Sequence, residues 1–156
     1  MTKIEISRNG RVYIPIYIKP QYDITMAMVN FKFDTGSDYT TISKKNLIAI
    51  GYDMEWINQN VIVLKNDITT ATGDVVNAGY IQLPLINILE YECIKWPFHI
   101  IIDESKDFRN LIGLDLLTYF DCHIIYSKNI FTADMVKNPI HRFRFLPGQE
   151  IHELSL

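Results

Sequence analysis

The sequence predicts an all-β domain, a closed barrel-like fold with one or two short helices. Within 12–18 and 29–33, apolar residues recur at every second position, which is the period of a strand with one buried face. Turn-forming residues such as Asn9-Gly10 and Pro147-Gly148 separate short apolar stretches along the chain. Many short strands with few helices are typical of a sandwich or a barrel.

Length and composition indicate one globular domain. The chain has 156 residues, of which 48% are hydrophobic and 21% charged, so it can bury a core and is not a disordered sequence. The net charge of -3 argues against nucleic acid or an anionic membrane surface as a partner. No apolar run is long enough to cross a bilayer, so we expect no membrane partner. The alternating basic and aromatic residues of 141–145 are interpreted as an edge strand.

The compartment is predicted from the N-terminal residues and the cysteines, and the metal content from the histidines. The first residues contain no apolar core of a signal peptide. Cys93 and Cys122 suit burial in a reducing compartment, since two thiols make no disulfide framework. We therefore predict a cytoplasmic protein. The four histidines show no metal-ligand spacing, so no metal is predicted.

The first elements are predicted to be a β-hairpin. Segments 4–7 and 11–18 flank Asn9-Gly10, a dipeptide that tolerates the positive φ angles of the tightest hairpin turns. The second strand has one apolar face, formed by Val12, Ile14, Ile16 and Ile18. Pro15 lacks a backbone N–H, which favours an edge strand or a bulge at this point.

A strand over 24–33 leads into the turn Asp34-Thr35-Gly36-Ser37-Asp38. Phe31 and Phe33 lie on the apolar face of this strand, whereas Lys32 and Asp34 lie on the other. Gly36 permits backbone conformations and close approaches that other residues do not. A carboxylate in a tight turn, with hydroxyl groups beside it, is a candidate general acid or base.

The remaining elements alternate between short strands and turns. Ser43 is a favourable N-cap for a helix over 44–50 that ends at Gly51. Residues 68–83 are predicted to form strand-turn-strand with Thr72-Gly73-Asp74 at the tip, and a second helix is predicted over 115–120. Further strands are predicted at 39–42, 61–64, 84–92, 94–103, 111–112, 122–126 and 130–133. The last stretch, 136–156, contains Pro139 and Pro147 and is interpreted as an irregular extension of unknown role.

Two stretches together resemble the signatures of a known family. One is Asp34-Thr35-Gly36-Ser37, and the other, about seventy-five residues later, is Leu111-Ile112-Gly113-Leu114-Asp115 followed by two leucines. They resemble the catalytic loop and the supporting strand and helix of the retropepsins, which are homodimeric aspartic proteases. The resemblance covers 12–134, so we expect a protease protomer over 1–135 and an extension over 136–156. Asp-Thr-Gly alone is a weak signal of the family, because an ordinary turn after a strand can contain the same residues.

The resemblance implies an aspartic endopeptidase that needs no cofactor. Peptide hydrolysis by carboxylates requires two of them, which share one proton because both cannot easily ionise side by side. The chain has one Asp-Thr-Gly, so two chains must each supply an Asp34 across a twofold axis. The predicted partners are a second copy of the chain, as a homodimer, and a peptide or protein substrate.

The same resemblance implies roles for neighbouring residues. Thr35 is expected to hydrogen-bond across the twofold axis, and Gly36 to offer its carbonyl to the substrate, beside the catalytic Asp34. Asp115 is expected to be structural support. The expected substrate-binding residues are Ser37, Asp38 and Leu111, with Gly73, Asp74 and Val75 in a flap over the substrate. The flap tip has one glycine where viral enzymes have several.

Two residues beside Asp34 carry more specific hypotheses. A Ser37 hydroxyl bonded to the ionised carboxylate would favour an acidic to mildly acidic optimum. Lys32 lies on the same strand face as Asp34, so it either lines the cleft and favours an acidic substrate residue, or extends into solvent.

Two other functions fit the same residues. A non-catalytic dimer of this fold could bind a peptide or partner in the cleft, since fold does not imply function. A soluble β-barrel with a chance Asp-Thr-Gly is the third interpretation, and it predicts a monomer.

Overall fold

The computed structural model describes residues 2–5, 11–89, 91–119, 121–127, 130–136, 142–147 and 152–155. Its elements follow in chain order: β1 Thr2–Glu5, β2 Tyr13–Ile18, β3 Ala27–Phe33, α1 Lys44–Ala49, α2 Met54–Asn60, β4 Ile62–Val63, β5 Ile68–Thr69, β6 Val75–Val76, β7 Ala78–Ile88, β8 Tyr91–Ile101, β9 Leu111–Ile112, α3 Leu114–Tyr119, β10 Asp121–Ser127, β11 Ile130–Val136, β12 Arg142–Pro147 and β13 His152–Ser155.

The chain divides into two compact units. Unit 1 comprises Met1–Pro15, Asn30–Tyr39 and Leu111–Leu156, and unit 2 comprises Ile16–Val29 and Thr40–Asn110. Both predicted signature stretches fall in unit 1.

Unit 1 contains a five-stranded sheet in the order β1-β11-β10-β12-β13. The strands predicted at 122–126 and 130–133 correspond to β10 and β11, which are antiparallel neighbours from Asp121↔Val136 to Ser127↔Ile130. β12 runs parallel to β10, and β13 pairs antiparallel with β12. Three predictions are corrected here. β1 pairs with β11 and not with β2, 136–156 contains two strands, and β12 lies inside the sheet and not at its edge. Asn9-Gly10 and His141 lie outside the described residues.

The apolar face of β2 is buried as predicted. The four residues of that face are at most 3% exposed: Val12, Ile14, Ile16 and Ile18. The register of β2 with β7 begins at Ile16, directly after Pro15, which has no N–H to donate. β2 nevertheless has a hydrogen-bonded neighbour on each side, β7 and β3, so the predicted edge position is wrong.

Unit 2 is built on the long antiparallel pair of β7 and β8. Their register runs from Ala78↔Ile101 to Ile88↔Tyr91, and β4 pairs with the start of β7. Fully buried side chains from these strands form the core, among them Ile81, Leu83, Ile86, Ile88 and Phe98. Residues 98–101 of β8 are also buried, all at most 9% exposed.

Unit 2 contains one helix that the sequence predicted, α1, and one that it did not, α2. α1 is confirmed, with the Ser43 side chain accepting a hydrogen bond from the Asn46 N–H and Gly51 after its end at φ +105°. α2 was not predicted. Ile57 is its one buried residue, so its sequence lacks the apolar period of a core helix.

β5 and β6 form the predicted hairpin of unit 2. They pair at Ile68↔Val76 and Thr69↔Val75. The Thr70 N–H donates to the Asp74 carbonyl oxygen at 2.8 Å, and the Gly73 N–H donates to the Thr70 carbonyl oxygen at 2.9 Å. Gly73 has φ +85°, a conformation that favours glycine.

The predicted class is confirmed in its coarser form. The described residues are rich in strands and contain three short helices, one more than the largest number predicted. They show no closed barrel. Residues 39–42 do not form the predicted strand, and Thr41 instead makes an isolated bridge with His99. Within the part of the chain that the structure describes, no helix is long and apolar enough to cross a bilayer.

Candidate active site

Parallel pairing of β3 with β9 brings the two signature stretches together in unit 1. Lys32 is opposite Leu111, and Phe33 is opposite Ile112. The ladder continues one step beyond β3, because the Asp34 N–H donates to the Ile112 carbonyl oxygen at 3.1 Å. Phe31 and Ile112 are fully buried and anchor the two strands. Asp34 therefore starts its turn from a fixed backbone position.

The turn after β3 orients the Asp34 carboxylate. The Ser37 N–H donates to the Asp34 carbonyl oxygen at 3.2 Å, which closes the turn. The Gly36 N–H donates to Asp34 Oδ1 at 3.0 Å. A Cβ at position 36 would lie 3.2 Å from the same oxygen, a tight contact that explains the glycine. The backbone of the turn thus holds one carboxylate oxygen in place.

The second stretch packs directly against the turn. The Leu114 N–H donates to the Ser37 carbonyl oxygen at 2.8 Å, and the Asp115 N–H donates to the Asp38 carbonyl oxygen at 3.1 Å. A Cβ at Gly113 would overlap the backbone of Tyr39 and would lie 2.8 Å from the Ser37 oxygen. Glycine at 113 is therefore required for this close approach of two backbones.

Asp115 lies in the first turn of α3 and supports the same contact. Its Oδ1 accepts a hydrogen bond from the Leu116 N–H at 2.7 Å, at the start of the helix where backbone N–H groups lack helical partners. Leu116 and Leu117 are buried and attach α3 to unit 1. This arrangement agrees with the structural role expected of Asp115.

Lys32 is the charged partner of Asp34. Its Nζ lies 3.3 Å from Asp34 Oδ2, and the two side chains are 34% and 29% exposed. The expectation that Lys32 shares the face of Asp34 is confirmed, and its side chain does not extend away into solvent. Oδ1 is held by the Gly36 N–H and Oδ2 by the Lys32 ammonium.

The expected hydrogen bond from Ser37 to the carboxylate is wrong. Ser37 Oγ donates to the Tyr39 carbonyl oxygen at 2.7 Å and stabilises the backbone after the turn. The acidic optimum that depended on a Ser37–Asp34 hydrogen bond therefore loses its stated cause.

Comparison with solved structures provides information on the fold. No family model and no curated protein sequence matches the chain. Among solved structures, the chain is similar to a retropepsin-like aspartic protease from Rickettsia conorii, with a TM-score of 0.54. The fold is retropepsin-like. The match covers 86% of this chain and 91% of the other at 18% identity, so it shows the fold alone.

On this retropepsin-like fold, the structure places the predicted site residues in two groups. Six lie together in the turn and β9 of unit 1: Asp34, Thr35, Gly36, Ser37, Asp38 and Leu111. Thr35, Gly36 and Asp38 are exposed, and Asp34 and Leu111 are partly buried. Gly73, Asp74 and Val75 are exposed residues of unit 2, at the β5–β6 hairpin. Their position over a substrate stays a prediction.

Two features of the site were not predicted from sequence. The ion pair of Lys32 with Asp34 needs side-chain geometry, although their spacing of two residues was a signal for a shared face. The steric requirement at Gly113 depends on a backbone 74 positions earlier at Tyr39, so no local pattern contains it. In the described ranges, no three potential metal-binding side chains cluster.

Proposed function

We propose that the chain is an aspartic endopeptidase that works as a homodimer, with one Asp34 from each copy. The observation that carries the proposal is the Asp34 turn. On a retropepsin-like fold, a partly exposed carboxylate follows a strand anchored in the core by Val29 and Phe31, and a backbone N–H holds one of its oxygens. The exposed turn leaves Asp34 accessible to both a partner chain and a substrate.

The proposed reaction uses water and one shared proton. The ionised Asp34 takes a proton from a water molecule as the oxygen of that water attacks the peptide carbonyl carbon. The protonated Asp34 of the second copy donates its proton to the carbonyl oxygen, so the intermediate carries two hydroxyl groups on one carbon. Collapse of this intermediate breaks the C–N bond as the first Asp34 passes its proton to the leaving nitrogen, while the second Asp34 takes a proton from one hydroxyl group, which reforms the carbonyl and leaves one proton on the pair. The mechanism involves no metal or organic cofactor.

Neighbouring residues have supporting roles in the proposal. The Gly36 N–H holds Asp34 Oδ1 and the Lys32 ammonium lies 3.3 Å from Oδ2, so the carboxylate has a defined orientation in the proposed site. Thr35 is exposed beside Asp34, a position that suits a hydrogen bond across the dimer axis. Ser37, Asp38 and Leu111 border the substrate. The β5–β6 hairpin, with Gly73, Asp74 and Val75, acts as the flap.

The dimer follows from the chemistry. Asp-Thr-Gly occurs once in the sequence, so a single chain has half of a proton-sharing pair. A twofold axis through the Asp34 turns supplies the other half by symmetry.

The proposal predicts dimers and proteolysis in the same preparation. We expect sedimentation analysis to give twice the mass of an 18.2 kDa chain. We expect cleavage of an unstructured protein between about pH 4 and pH 7, where a carboxylate pair can hold one proton. The specific activity should fall on dilution as dimers dissociate.

Two outcomes would contradict the proposal. A monomer at every concentration would leave each Asp34 without its counterpart, and cleavage by that monomer would need another mechanism. A dimer that binds unstructured peptides and cleaves none would instead be the non-catalytic binding module.

A further inference from the structure

We infer that Lys32 determines specificity and favours substrates with an acidic side chain next to the scissile bond. The inference rests on the proposed function and adds a substrate class to it. Lys32 Nζ lies 3.3 Å from Asp34 Oδ2, so the cation is within contact distance of the proposed catalytic carboxylate.

The position of Lys32 is fixed by the fold. It is on β3 opposite Leu111 of β9, two residues before Asp34 and therefore on the same face of the strand. Its side chain is 34% exposed, so it is partly accessible to a ligand. A partly buried cation is less screened by salt than one on an open surface.

In the proposed dimer, the positive charge of Lys32 is not fully neutralised by Asp34. In one chain, the ammonium of Lys32 balances the carboxylate of Asp34. In the proposed dimer, two copies of Lys32 meet an Asp34 pair that shares one proton and so carries a single negative charge. The assembled centre thus has one positive charge in excess, which is available to a substrate carboxylate.

Other charged groups nearby do not remove this excess in the described geometry. Asp38 is exposed four residues along the turn, and the ion pair of Lys32 is with Asp34 and not with Asp38. On the elements packed against the turn, Asp115 directs its carboxylate to the Leu116 N–H at the start of α3. Lys32 is thus a cation in direct contact with the proposed catalytic carboxylate.

Matched peptides test the inference. A cleavage site is first located in an unstructured protein, and two fluorogenic peptides are made that differ by Glu or Gln beside the cut. We expect kcat/KM to favour the Glu peptide about fivefold in the natural protein, the size of a partly exposed charge pair. Lys32→Met should bring the ratio close to one, and Lys32→Arg should retain the preference. Lys45→Met removes an exposed positive charge in α1 and should leave the ratio unchanged.

The outcomes separate this inference from the proposed function. Cleavage with equal rates for the two peptides, or a Glu preference that survives in Lys32→Met, overturns the role of Lys32 and leaves proteolysis intact. Failure to cleave any peptide or unfolded protein overturns the proposed function, and the specificity with it. If Lys32→Met does not fold, Lys32→Gln removes the same charge and should also bring the ratio close to one, whereas an undiminished Glu preference would overturn the role of Lys32.

Discussion

Substituting asparagine for Asp34 is expected to lower the rate of peptide cleavage about 10⁴-fold, the upper range for losing a general acid or base. An amide neither takes a proton from water nor shares one with a carboxylate. Its oxygen can still accept the Gly36 N–H that now donates to Oδ1 at 3.0 Å, so the turn should keep its shape. The measurement is kcat/KM on one peptide, with thermal unfolding as the check on folding.

Asp23→Asn is the matched control for that substitution. Asp23 lies in an exposed turn, where its Oδ1 accepts the Thr25 N–H at 3.0 Å, a contact that an amide oxygen can also make. The same chemical change at Asp23 should leave kcat/KM within about twofold of the value for the natural protein, because substitutions at exposed sites usually have small effects. Equal cleavage by the Asp34→Asn and natural proteins would assign the activity to a contaminant.

Gly113→Ala is expected to have the largest effect on folding. The added methyl group would overlap the Tyr39 backbone and crowd the Ser37 carbonyl oxygen, and neither is the movable end of a side chain. Overpacking of this kind costs about 1–3 kcal/mol. For a chain of this size that lowers the melting temperature by roughly 2–12 °C. Because the displaced backbone follows Asp34 directly, kcat/KM of the folded fraction should also fall.

Gly79→Ala provides the comparison in unit 2. A Cβ at Gly79 would lie 2.6 Å from the Ile62 carbonyl oxygen and 2.8 Å from a Val61 methyl group. We expect a similar loss of thermal stability in this variant, with kcat/KM of the folded fraction unchanged. A Gly113→Ala protein as stable and active as the natural one would show that the turn and β9 are not in the close contact described.

Local sequence rules account for several elements of the structure. The two-residue period places Phe31 in the core and Lys32 beside Asp34, because a strand alternates its faces. Ser43 caps α1 for the reason that made it a candidate, a side-chain oxygen that accepts a free N–H. Gly73 has the positive φ that the hairpin tip requires.

The predictions that were wrong involve partners distant in sequence. Asn9-Gly10 favours a local hairpin, but β1 pairs with β11, more than a hundred residues later. β12 joins the sheet beside β10, which no pattern within 136–156 can indicate. The Ser37 hydroxyl donates its one proton to the Tyr39 carbonyl oxygen, a partner that the residue type alone does not determine. Propensity describes single segments, whereas pairing depends on the whole chain.

Mixing natural and Asp34→Asn chains is the most direct measurement of whether two copies of Asp34 form one active site. The chains are combined in equal amounts at fixed total concentration and allowed to exchange before kinetic assay. If each site needs two Asp34 carboxylates, random pairing predicts about one quarter of the activity of the natural protein. A value of about one half would mean that each chain is active by itself, and it would contradict the shared site.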